Sequence, residues 1–129
     1  MAKSFWKKTI QNMWIGIMNK LIYGSIYRQQ VIFRGNEGFK VRPVFVLFTD
    51  NDDVYFFSIS TKPGKDHQKK YRAPILNWRK AGLDKPSYIM LDDPPYILSK
   101  SMFTDDKYLG QTIGMDLDMF ELHMSNLGY

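Results

Sequence analysis

Glu37, Arg42, Ser60 and Thr61 are the side chains of this 129-residue chain whose types and placement suit chemistry on a phosphate. Glu37 stands in a loop flanked by Gly35 and Gly38, and Arg42-Pro43 closes that loop where the apolar run 44–48 (VFVLF) begins. A carboxylate and a guanidinium at the mouth of a rigid strand can together move a proton and hold phosphate oxygens. Ser60 and Thr61 end the next run, 54–61 (VYFFSIST). Strand alternation there puts Tyr55, Phe57 and Ile59 on one face, with Ser58 and Ser60 on the other, beside the Glu37–Arg42 loop. A plainer reading stands next to each assignment. Arg42 and Glu37 can form an ion pair that staples loop to strand, and hydroxyls at a strand end can serve local backbone groups.

A second group of candidates lies in 62–72 (KPGKDHQKKYR), where Lys62, Lys65, Lys69, Lys70 and Arg72 face a single acid, Asp66. Pro63-Gly64 predicts a turn and no periodic structure. The stretch reads equally as a solvated loop or as a patch that tracks a phosphate backbone. Tyr71, set among the cations, is a ring on which any base can stack. His67 is suited to proton transfer near neutral pH, although a lone loop histidine is more often inert.

The elements that must position these groups read as a small mixed domain. Residues 44–48 predict a strand covered on both faces, with Pro43 at its first position, where no ladder N–H is needed. A strand over 26–33 precedes it, and Thr49-Asp50-Asn51-Asp52-Asp53 predicts a hairpin turn into 54–61. A short helix is expected over 75–83, stopped at Gly82, with strands at 88–91, 96–98 and near 108–113. Asp116 is placed to cap a final helix whose Leu117, Phe120, Met124 and Leu127 share a face. At the amino terminus Trp6, Ile10, Met13, Trp14, Ile17 and Leu21 recur at helical spacing, which predicts an amphipathic helix through about residue 22. It is too interrupted by polar residues to span a bilayer, and it is expected to pack on the domain or on a second copy. The fold class is therefore α+β, a small, strongly curved antiparallel sheet with helices at each end and one between, in one domain over 1–129.

Composition narrows the partners. The net charge is +5 with a pI near 9.4, which favours an acidic partner such as nucleic acid or an acidic protein segment. Cysteine is absent, so disulfides and thiolate metal sites are excluded and the reducing cytoplasm is the simplest location. The acids at 50–53 lack the glycine and distal glutamate of a calcium loop, and neither metal nor cofactor is expected.

Several of these residues, taken in order, resemble the MazF/PemK family of toxin endoribonucleases from toxin–antitoxin systems. Gly24-Ser25-Ile26-Tyr27 is similar to that family's first-strand start. Gly35-Asn36-Glu37 and Arg42-Pro43-Val44-Phe45-Val46-Leu47 are similar to its Gly-Ser-Glu loop and Arg-Pro-Val strand. Ile59-Ser60-Thr61 stands where the family has Ile-Thr-Ser; Trp78, Ala81-Gly82-Leu83, Lys85-Pro86-Ser87 and Ile113-Gly114 follow in family order. The resemblance covers about 24–126. The chain departs from the family at Ser25, where an aspartate is usual, at Ser60, where a threonine is usual, and in the helical extension 1–22.

The resemblance implies an SH3-like barrel over 24–127, a homodimer, and metal-independent cleavage of single-stranded RNA by the ribose 2′-hydroxyl. On that basis Arg42 is expected to stabilise phosphorane charge and protonate the leaving oxygen, since a guanidinium holds its proton too tightly to serve as a base. Glu37 is then the general base, and Ser60 and Thr61 hold phosphate oxygens. Lys62, Lys65, His67, Lys69, Lys70, Tyr71 and Arg72 would contact RNA. An acidic, partly disordered antitoxin is the implied protein partner. Two rival classes are a gyrase-directed poison on the same barrel and a non-catalytic nucleic-acid-binding module.

Overall fold

A computed structural model describes residues 20–32 and 38–129. The predicted helix before residue 20 and the candidate base Glu37 lie outside the described residues.

β1 (Ser25–Ile32) and β2 (Phe39–Asp50) pair antiparallel, and β3 (Asp53–Ser60) returns along β2 after a two-residue turn. The turn is the predicted hairpin: Asp50 and Asp53 are opposite each other, and Asn51 takes the left-handed backbone (φ 55°) that a tight hairpin demands. β4 (Arg72–Ile75), β5 (Ser87–Met90), β6 (Tyr96–Ser99) and β7 (Tyr108–Gln111) complete a seven-stranded antiparallel sheet. Its order is β4-β5-β3-β2-β1-β7, with β6 also on β3, so the path is open, with β4 and β7 at its ends. A single long helix, α1 (Gly114–Asn126), follows. The described chain is thus α+β, and none of its helices is long and apolar enough to cross a membrane.

Both faces of the sheet's centre are buried, as the unbroken apolar run of β2 requires. On the first face Ile26, Phe45, Leu47, Phe57, Ile59, Ala73, Ile75 and Ile89 pack against Phe120 and Met124 of α1, with Leu117 and Leu127 at its margin. On the second face Tyr27, Val31, Val44, Val46, Val54 and Phe56 pack under Leu21 and Phe103. Register shifts at Val46/Phe48 and Ile26/Tyr27 break the strict alternation locally, and such bulges sharpen twist.

Five expectations are corrected. β2 begins at Phe39, so Pro43 lies inside a strand, opposite Arg28. Val46 C=O accepts from Gly24 N on the β1 side, so alternation turns the Pro43 nitrogen towards β3, where pairing has stopped at Val44–Ser58. No ladder bond is lost there.

Residues 75–83 form no helix. Ile75 ends β4, and the turn that follows closes with bonds of three different spans: Ala81 N to Asn77 O, Gly82 N to Arg79 O, and Leu83 N to Trp78 O. The first amides of that turn, Leu76 and Asn77, are taken instead by Asp116. Gly82 (φ 88°) lies so close to β7 that a Cβ would come within 2.0 Å of Leu109 O, which no side-chain-bearing residue could accept.

Asp116 does not cap α1. Ile113 is the N-cap, and the Asp116 carboxylate, 2% exposed, accepts from Leu76 N (2.9 Å) and Asn77 N (3.1 Å).

Within 62–72, Asp66–Tyr71 is a 3-10 helix and Arg72 opens β4. Gln68 starts it: its N–H donates to Lys65 O and its side-chain oxygen accepts from Lys65 N. Finally, the Ser58 face of β3 is not a polar one, because Phe56 and Val54 are buried on it and Ser58 itself is 2% exposed.

Candidate nucleic-acid interface

The second face changes character along its length. Its apolar cluster covers the β1, β2 and β6 side; on β2 it ends at Val44, while on β1 it continues to Val31, opposite Lys40. Beyond it the same face carries Arg42, Ser58, Ser60, Tyr88, Met90, Pro74 and Arg72, as strand pairing establishes. Val44 is opposite Ser58, and Arg42 and Ser60 are each two residues past that rung, so both keep its face. Ser60 is opposite Tyr88, Tyr88 is opposite Pro74, and Met90 is opposite Arg72. The inward-facing partners of these residues (Ile59, Ile89, Ala73 and Ile75) all belong to the first cluster, so the assignment of faces is consistent throughout.

Arg42 reaches across this surface. Its Nη1 donates to Met90 Sδ at 3.7 Å, over an intervening strand and between residues 48 apart in sequence. A thioether is a weak acceptor, and the contact positions the half-buried guanidinium. Ser60, also half-buried, accepts from Lys62 N at 3.1 Å; its hydroxyl hydrogen still has a direction in which to donate. The local-backbone reading of Ser60 is therefore part of what the hydroxyl does. Thr61 is exposed just past the strand. Ser58, by contrast, is buried with its Oγ unpartnered.

The cations of 62–72 divide into two kinds. Arg72 is locked: its Nε lies 2.9 Å from Asp92 Oδ1 as an off-line charge contact, its Nη2 donates to Asp92 Oδ2 at 3.3 Å, and its Nη1 donates to Lys62 O at 3.2 Å. With its side chain 9% exposed, it builds the wall of the face and brings Lys62 to it. Lys62, Lys65, Lys69 and Lys70 are exposed. Lys69 pairs with Asp66 at 3.1 Å, and Lys70 sits 5.0 Å from the centre of the Tyr71 ring. Tyr71 packs against the first core cluster, so the ring that sequence order set among the cations is largely a core ring capped by lysine. His67 is exposed on the 3-10 helix.

The structure therefore brings Arg42 and Ser60 to one face, with Lys62 at its edge, and places His67, Lys65, Lys69 and Lys70 on the adjoining 3-10 segment. Sequence reading missed Tyr88 and Asp92. The phase of Tyr88 and Met90 is visible in 87–90, but its pairing with 58–60 is not. Among the described residues no cluster of three or more histidine, aspartate or glutamate side chains could hold a metal ion. No protein-family model matches this chain, and no curated protein matches it either.

Proposed function

We propose that this protein is a metal-independent endoribonuclease that cuts single-stranded RNA, the toxin of a toxin–antitoxin pair with a MazF/PemK-like, SH3-like barrel. The observation that carries the reading is the Arg42 guanidinium, held by a thioether on the same sheet face as the Ser60 hydroxyl. The motif order described above supports it.

In this mechanism the ribose 2′-oxygen attacks the adjacent phosphorus while Glu37 takes its proton. The bond from phosphorus to the 5′-oxygen breaks, the 5′-oxygen takes a proton from the Arg42 side, and a 2′,3′-cyclic phosphate and a 5′-hydroxyl result. Arg42 and the Ser60 and Thr61 hydroxyls carry the charge that builds on the phosphorane oxygens, the role in which preorganised donors contribute most. Lys62 and the lysines of the 3-10 segment draw the strand in. The same charge attracts an acidic, initially disordered antitoxin segment in the cytoplasm, and the active unit is a homodimer.

Induced expression in bacteria followed by mapping of RNA ends is the test. Wild type generates new 5′-hydroxyl ends and Arg42→Ala generates at least about 100-fold fewer, the cost of losing one charge-stabilising donor. Purified protein keeps its activity in EDTA. Toxicity without new RNA ends would favour a protein-directed poison, and RNA affinity with neither toxicity nor scission a binding module.

A further inference from the structure

Among the described residues the polar half of the second face carries one aromatic ring, and it is not the one that the sequence singled out. Tyr88 is opposite Ser60 on β3 and opposite Pro74 on β4, so its side chain leaves the sheet on the Arg42 and Ser60 side. It is half-buried and belongs to neither apolar cluster. Among the described residues no ring or cation lies against it, whereas Tyr23, Tyr27, Tyr55 and Tyr96 pack on rings and Tyr71 carries Lys70.

Its surroundings match what a nucleotide needs. β5 and β2 flank β3, so at least about 10 Å, two strand spacings, separates the backbone that bears Tyr88 from the one that bears Arg42. A nucleotide with its base on the ring and its phosphate at the guanidinium spans that interval. Met90, which Arg42 touches, is the next residue of β5 on the same face. Below lies Ser58, whose buried hydroxyl has no hydrogen-bond partner among the described residues.

We propose that Tyr88 is the stacking platform for one base of single-stranded RNA whose adjoining phosphate lies at Arg42 and Ser60. The identity of the ligand rests on the endoribonuclease reading; the platform is a separate claim about one residue. Ring stacking is tolerant of sequence, so Tyr88 contributes affinity to every substrate, while charge contributes the salt dependence.

The experiment measures the affinity of full-length protein for a fluorescein-labelled pool of random single-stranded 2′-O-methyl RNA 12-mers, which lack the attacking hydroxyl. Wild type, Tyr88→Phe and Tyr88→Leu are compared across a salt series, with thermal melts confirming that each variant folds. Tyr88→Phe binds within about twofold of wild type, and Tyr88→Leu binds about 5- to 150-fold more weakly with the same salt slope. Equal binding by Tyr88→Leu overturns the platform, and so does a loss shared by Tyr88→Phe or accompanied by a changed slope. A parallel assay on unmodified RNA separates the two claims. Ring-dependent binding with no scission sinks the nuclease and keeps the platform, scission with ring-independent binding does the reverse, and no binding at all by wild type overturns both.

Discussion

Two arginines on one sheet face show how context decides what a residue can do. Arg72 is held by both oxygens of Asp92 and by a carbonyl, so its charge is spent on the wall of the site. Arg42 instead reaches across the sheet to the Met90 sulfur, a contact that orients its guanidinium on the same face as Ser60. Buried Tyr27 is the residue whose chemistry gives a pH prediction. Burial first, then the charge of Asp105 and the neighbouring Tyr108, push its phenol up to about 12 from 10.0. The folded phenol thus keeps a proton that the unfolded one loses. Its contribution to stability is fully present below pH 10.0 and is lost as the pH rises from there through about 12. Tyr27→Phe abolishes this, so urea midpoints fall less steeply for the variant than for wild type above pH 10.0. Parallel curves for the two proteins would rule Tyr27 out as the source.

Elements here are joined by polar staples as much as by apolar packing. α1 covers the first face with Phe120 and Met124, and its helical spacing makes that legible from residues 117–127 alone. Asp116 was legible as a helix-terminus residue but not as the anchor of a distant turn. The chain that leaves β4 has no strand to take the amides of Leu76 and Asn77, and a carboxylate 40 and 39 residues on supplies both acceptors. Asp116→Ala leaves two amides without partners in a buried site and should cost about 2–3 kcal/mol, read as a lower urea midpoint at unchanged m. Asp116→Asn keeps one acceptor oxygen and should fall between. The same competition explains why 75–83 is a set of turns despite its helix-forming residues.

For the whole molecule the decisive features are a chain of net charge +5 and a sheet with one polar half-face. If that half-face binds RNA, exchanging exposed Lys62, Lys65 and Lys70 for alanine lowers the slope of log affinity against log salt by about 2, at ~0.7 per phosphate contact on a single strand. Tyr88 variants leave that slope alone. The sequence by itself determined the doubly buried strand 44–48, the Asn51 hairpin, the closing helix and the basic balance, because each is written in local patterns: apolar runs, turn chemistry and helical periodicity. Only the tertiary structure decided that Arg42 meets Met90, that Tyr88 stands beside Ser60, and that Arg72 is locked to Asp92. Those contacts join segments up to 48 residues apart, and strand pairing over such separations is chosen by how two faces of a whole sheet are buried. No single stretch of this chain records that choice.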